Sequence, residues 1–298
     1  MAKEATQTRN IEKLATGIRG LDDVLQGGIP KGRSLLLVGS TGTGKTVFLN
    51  EFLYRGITEF DEPGVFVTFE EHVDDIIRNV TNFGWDYPQL IKDNKLSFVD
   101  ASPMREPPEE VGKYDLSGLM LRIEHAIDIT GAKRVVLDTV GNLFITYQDK
   151  GAVRKLLYEV IDGLKKLGVT AIISSEQPEG APDLSRYGVE EFVADGIAVL
   201  SQEVYQQSVM RNVIIRKLRG VGYHAGLVPF LITKDGIRMY PEFEFSLTFP
   251  SSKERVSTGV AGLDEMTHGG VFRGSITLVA GATGTGKTIT SLQFLRSG

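Results

Sequence analysis

The sequence predicts an α/β fold in which a mostly parallel sheet is flanked by helices and extended at one edge by antiparallel strands. Three observations predict it. Short β-branched, apolar runs alternate along the chain with longer amphipathic stretches, the pattern of strands joined by crossover helices. A glycine-rich run beginning at Gly39 stands where a strand gives way to a helix. From Arg211 to Tyr240 the pattern becomes strand-rich without intervening helices, as expected of hairpins closing a sheet.

Taken in order, the strand Ser34–Val38 runs into Gly39-Ser40-Thr41-Gly42-Thr43-Gly44-Lys45-Thr46, and a helix follows over Thr46–Thr58, with Val47 just inside it. Glycines let the backbone wrap a phosphate chain with its amide hydrogens pointing inward, and the helix N-terminus adds positive partial charge. Lys45 is the candidate for the β- and γ-phosphates of ATP, and the Thr46 hydroxyl for the Mg²⁺ shell. The strand Val65–Phe69 ends in Glu70-Glu71 and leads to a helix over Asp74–Phe83. Adjacent carboxylates there can polarise an attacking water, and acids are equally favoured at a helix start by its dipole; spacing leaves both readings open. Leu96–Val99 is the next strand and Leu116–Thr130 the next helix. Arg134–Asp138 is an apolar strand ending in an acid, and Asp138 is read as the Mg²⁺ carboxylate. A helix over Gly151–Leu167 and strands at Ala171–Ser174 and Ile197–Leu200 complete the alternation. In the strand-rich tail, Lys217-Leu218-Arg219-Gly220 ends a strand; its cations can neutralise a transition state in the same or a neighbouring subunit, or form a surface basic pair.

An internal repeat organises the whole chain. Thr16–Gly56 and Thr258–Gly298 align without a gap, with roughly half their positions identical. The second copy carries its own loop, Gly281 to Thr288, with Thr283, Gly284, Thr285, Gly286, Lys287 and Thr288 as a second, partial ATP site and Thr288 as its metal hydroxyl. Its strand is expected at Ser275–Ala280. One strand and one helix do not make a doubly wound domain, so the expectation is a complete domain at residues 1–247 and the truncated start of a second at 248–298, inactive in hydrolysis and autophosphorylation.

Composition narrows the classes further. The chain has 298 residues, 41% hydrophobic and 24% charged, with no cysteine, which removes thiolate metal sites and cysteine nucleophiles. Four histidines without paired spacing argue against zinc. A net charge of −5 gives no general signal for nucleic acid or anionic membranes. The N-terminus has no apolar signal segment, and no apolar run reaches a membrane span, so the expected address is the cytoplasm.

The runs Phe60–Glu71, Phe83-Gly84-Trp85-Asp86 and Arg186–Val193 resemble the KaiC family of RecA-like P-loop ATPases, and the resemblance covers nearly the whole chain. It implies a RecA-like P-loop NTPase fold and a homo-oligomeric, hexameric ring that binds ATP at subunit interfaces. It implies a catalytic role for Glu70 and Glu71, a contact of Lys217, Leu218 and Arg219 with a neighbour's ATP, and nucleotide near Asn82. It also implies a KaiB-like partner at Pro108 to Asp115, where this sequence departs from the family with Pro107-Pro108-Glu109-Glu110. After Lys-Leu-Arg-Gly the run Val221-Gly222-Tyr223-His224 sets His224 one place late, so no nucleotide contact is carried to it. The family's autophosphorylated Ser-Thr pair belongs to its second domain and has no match here. The leading expectation is an oligomeric ATPase acting as a timing or signalling switch. The rivals are a RecA-like DNA-recombination or helicase motor, which predicts a basic, DNA-facing loop, and a nucleotide-gated scaffold without turnover.

Overall fold

The computed structural model describes residues 11–102, 116–141, 149–177, 188, 190–206, 208–241 and 252–297. They fall into two compact units, Met1–Glu242 and Phe243–Gly298.

The first unit opens with a small local motif. Strand β1 (Lys13–Leu14), helix α1 (Leu21–Val24) and strand β2 (Ile29–Pro30) close around Asp22. Its carboxylate accepts from the Thr16 backbone N–H at 2.7 Å, the Thr16 hydroxyl at 2.8 Å and the Gly17 N–H at 3.1 Å. Gly28, at φ 116°, lies so close to the Leu14 carbonyl that a Cβ would stand 2.1 Å from it, so only glycine fits there.

The α/β body follows in chain order. Strand β3 (Ser34–Gly39) leads to helix α2 (Lys45–Phe60), strand β4 (Gly64–Thr68) and helices α3 (Val73–Thr81) and α4 (Tyr87–Lys92). Strand β5 (Leu96–Asp100), helix α5 (Leu116–Thr130), strand β6 (Arg134–Asp138) and helix α6 (Lys150–Lys166) come next. Then come strand β7 (Thr170–Glu176), helix α7 (Glu190–Val193) and strands β8 (Gly196–Tyr205), β9 (Ser208–Leu218), β10 (Val228–Thr233) and β11 (Gly236–Met239). Among the described residues these form a nine-stranded sheet in the order β11-β10-β9-β8-β3-β7-β6-β4-β5. The strands from β8 to β5 in that order are parallel, while β9, β10 and β11 pair antiparallel at the other edge. This is the α/β architecture that the alternation and the strand-rich tail predict, and it fits the RecA-like fold that the family resemblance implies.

Both faces of the sheet are covered, which is why its strands read as continuous apolar runs instead of alternating ones. Leu35 and Leu37 of β3, Val136 of β6 and Ile172 of β7 face α2, packing with Phe48, Phe52 and Phe66. Leu36, Val38, Val135, Leu137 and Ile173 face the other way, onto Leu119 and Ile123 of α5 and Val153, Leu157 and Leu164 of α6. Truncating a buried phenylalanine such as Phe48 or Phe52 costs about 3–5 kcal/mol. A charged residue lies in the α2-side core as well: Arg134, with 0% of its surface exposed, opens β6. Its guanidinium donates to Glu62 Oε2 at 2.6 and 2.8 Å and to the carbonyls of Ala15, Thr16 and Phe52, and it lies over the Phe52 ring. Burial holds its pKa below the usual arginine value, and Glu62 opposes that.

The second unit repeats the opening motif. Strand β12 (Arg255–Val256), helix α8 (Ala261–Met266) and strand β13 (Val271–Phe272) pair in the same register as β1 and β2. Asp264 accepts from Thr258 N–H at 2.7 Å and Thr258 Oγ1 at 2.6 Å, as Asp22 does from Thr16. Helix α9 (Lys287–Ser297) ends the unit. The strand expected at Ser275–Ala280 does not form, and Ile276 and Leu278 are exposed. The reason is physical: β3 is held by β7 on one side and β8 on the other, and among the described residues this segment has neither.

Candidate phosphate-binding site

The glycine-rich loop leaves β3 at Gly39 and enters α2 at Lys45. Gly44 caps the helix at φ 103°, and a Cβ there would meet Ile232 Cδ1 at 2.7 Å, so both conformation and space require glycine. The Thr43 hydroxyl donates to the Ser40 carbonyl at 2.8 Å. Lys45 is buried, and its ammonium donates to the carbonyls of Gly39 at 2.8 Å and Ser40 at 3.1 Å. Burial lowers its pKa, while Glu176, Asp138 and Glu70, in that order of strength, favour the charged form.

Across the sheet, β6 delivers Asp138 to the same edge. Thr46 Oγ1 donates to Asp138 Oδ2 at 2.9 Å, joining the two residues read from the sequence as metal-binding. The other carboxylate oxygen accepts from Ser174 Oγ at 2.5 Å and Thr139 Oγ1 at 3.1 Å. Two hard oxygen donors side by side suit Mg²⁺, which takes one or two protein oxygens and keeps water and phosphate for the rest. Glu70 and Glu71 follow β4, whose Thr68 pairs with Asp138 in the ladder. Glu70 is exposed, while Glu71 is half-buried and accepts from Asn79 Nδ2 at 2.7 Å. Burial first, then the Asp138 charge, raises the Glu71 pKa, the direction that strengthens a carboxylate as a base.

The other predicted site residues lie elsewhere. Asn82 is exposed at the C-terminus of α3. Lys217, Leu218 and Arg219 close β9 at the opposite end of the sheet from the loop. Leu218 pairs with Gly196, which pairs with Leu35, and the Arg219 N–H donates to Asp195, whose own N–H donates to Ser34. The length of β3, about 17 Å, separates that end from Gly39. Lys217 donates to the carbonyls of Glu191 and Ala194 at 3.0 and 2.8 Å, and burial lowers its pKa. Arg219 lies 3.9 Å from Asp195. The partner segment Pro108 to Asp115 lies outside the described residues, as do Arg186, Tyr187 and Val189.

In the second unit, the Lys287 ammonium donates to the carbonyls of Gly281 and Ala282 at 2.8 and 2.7 Å, and Thr285 Oγ1 to Ala282 at 2.8 Å. These are the same bonds as in the first loop. Thr283, Gly284 and Thr288 are exposed.

The structure adds four residues that sequence reasoning missed. Ser174 and Glu176 reach the site from β7, and their signal was present only as alternation beyond Ile172 without a known register. Gln202 and Arg211, paired across β8 and β9, donate to the loop carbonyls of Thr41 at 3.2 Å and Gly42 at 3.4 Å. Nothing in their spacing marks them.

The KaiC ATPase family matches residues 14–244 and again 256–298. The circadian clock oscillator protein KaiC of Synechococcus elongatus is 47% identical over 96% of this chain and 55% of its own length. The proteins of that name from Prochlorococcus marinus and Acaryochloris marina are 45% and 46% identical over 96% of this chain, and 57% and 55% of their own. The chain thus spans about half the length of these relatives. Among the described residues no helix is long and apolar enough to cross a membrane.

Proposed function

The chain belongs to the KaiC ATPase family, and from that premise we propose that its first unit binds ATP with Mg²⁺ and hydrolyses it. The observation that carries this reading is the Thr46–Asp138 contact at 2.9 Å beside the buried Lys45. Loop amides Gly39 to Thr46, with Val47 behind them, take the phosphates. Lys45 meets the β- and γ-phosphates, and Thr46 and Asp138 hold Mg²⁺. When bound, the ion offsets charge on the phosphates and fixes their orientation. Glu71, backed by Asn79, and Glu70 beside it orient water and take its proton.

Lys217 and Arg219 cannot serve their own loop from the far end of the sheet. They are read as completing the site of a neighbouring copy, in a head-to-tail ring that the family resemblance makes hexameric. Asn82 is assigned to the nucleotide on the same resemblance. The biological role proposed is a nucleotide-driven timing or signalling switch with a KaiB-like partner at Pro108 to Asp115. Autokinase activity is assigned to the full-length family protein, and the domain division proposed is 1–247 and 248–298.

The decisive experiment replaces Glu70 and Glu71 together by Gln. The amide is nearly isosteric but cannot accept the proton, so ATP binding is expected to persist while turnover falls about a hundredfold or more. Unchanged turnover would return the pair to the role of helix-start acids.

A further inference from the structure

β7 brings a carboxylate to the phosphate loop that the proposed mechanism leaves without a task. Glu176 is the last residue of β7 and pairs with Gly39, the first residue of the loop. Just beyond it, the Gln177 N–H donates to the Gly39 carbonyl at 3.2 Å. Alternation fixes its direction: Ile172 packs on the α2 side of the sheet and Ser174 reaches Asp138 on that side. Glu176 therefore stands on the same face, one two-residue step of about 7 Å nearer the sheet's carboxyl edge. Lys45 bonds the carbonyl of Gly39, the very residue opposite Glu176. Of the carboxylates whose fields act on the Lys45 ammonium, from β7, from β6 and from the end of β4, Glu176 is the strongest.

Resting on the reading of Lys45 as phosphate-binding, we infer that Glu176 is a positioning residue whose carboxylate competes with the terminal phosphate of a nucleoside triphosphate for the Lys45 ammonium. The carboxylate keeps the ammonium directed at the loop mouth, and the phosphate must displace its influence to bind. Its fixed negative charge also stands against the several charges of the triphosphate in a partly desolvated site, where such repulsion is felt more than in water. The arrangement trades affinity for a loop that is poised before nucleotide arrives and releases product readily.

The test measures the affinity of a non-hydrolysable ATP analogue with Mg²⁺ by calorimetry in the wild-type chain, Glu176→Gln and Glu176→Asp. Glu176→Gln is expected to bind about threefold to tenfold more tightly, with the gain shrinking as salt is raised. Glu176→Asp, which withdraws the charge by one methylene, is expected to fall between. Damage to the fold weakens binding, so tightening separates this role from a structural one. Equal or weaker binding by Glu176→Gln overturns the inference, and if that variant does not fold, equal or weaker binding by Glu176→Asp does. A wild-type chain that fails to bind the analogue overturns the nucleotide reading instead.

Discussion

Glu51 stands in the middle of α2, fully buried, with its carboxylate accepting from the Ile237 N–H at 2.6 Å and from Arg55 Nε at 3.4 Å. It ties the loop helix to the β10–β11 turn, where Gly236 leaves it room: a Cβ there would lie 2.4 Å from the carboxylate. Burial pushes its pKa up to about 7, against the pull of Ile237, Arg55 and Arg19. The sign follows from linkage. Between its ordinary value of 4.5 and about 7, the unfolded chain has lost this proton while the native chain keeps it. Native stability therefore falls as pH rises through that window, by roughly 3 kcal/mol, and is flat with respect to this group above it. Glu51→Gln is expected to remove that part of the slope, seen as a smaller difference between denaturation midpoints at pH 5 and pH 7.5. Parallel profiles for variant and wild type would show that Glu51 titrates normally. Little of this was legible in the sequence, where Glu51 is one more acid in an amphipathic helix. Lys45, Thr46 and Asp138 were legible because a phosphate loop and an acid-ended strand are local patterns. Glu176 and Arg211 depend on register between strands far apart in the chain, which spacing does not encode.

At the scale of elements, the two glycine-rich loops share their internal hydrogen bonds but not their setting. The first is anchored by a strand buried on both faces; the second follows a segment with no strand and exposed Ile276 and Leu278. A loop shape is thus a local property, whereas a site needs the acid, the base and the cover that neighbouring strands bring. Lys45→Ala is accordingly expected to lower ATP turnover by about a hundredfold or more, and Lys287→Ala to change it by less than about twofold. A large loss from Lys287→Ala in a chain that assembles normally would make the second loop catalytic. Where apolar runs are long the sequence marks an element closely, as in β6, whose bounds match the expected Arg134–Asp138. It fell short where the pattern turns polar. β8 was expected to end at Leu200 but continues through Gln202 and Glu203 to Tyr205, because it is held there by β9 and not by a buried face. Short α4, capped by Asp86 with Pro88 in its first turn, was missed because so few residues carry no period.

For the whole molecule, the separation of Lys45 from Lys217 and Arg219 makes each copy both a giver and a receiver in the proposed ring. Lys45→Ala and Arg219→Ala chains are each expected to be nearly inactive alone. Mixed under ATP and Mg²⁺, they should regain turnover, because some interfaces then pair an intact loop with an intact arginine. Turnover that stays at the sum of the two, or a wild-type chain that remains monomeric with saturating ATP by light scattering, would exclude a shared site.

The position of β3 in the sheet has a further consequence, for the order in which the chain acquires its shape. β3 is early in sequence, yet its neighbours β7 and β8 come late: Gly32, just before it, donates to Thr170, 138 residues downstream. Closing so long a loop is entropically slow, and contacts of this kind set folding rates. The Asp22-centred motif can close as soon as it is synthesised. The strand bearing the glycine-rich loop has to wait, so a ribosome-bound chain would carry the loop long before it could carry its ligand.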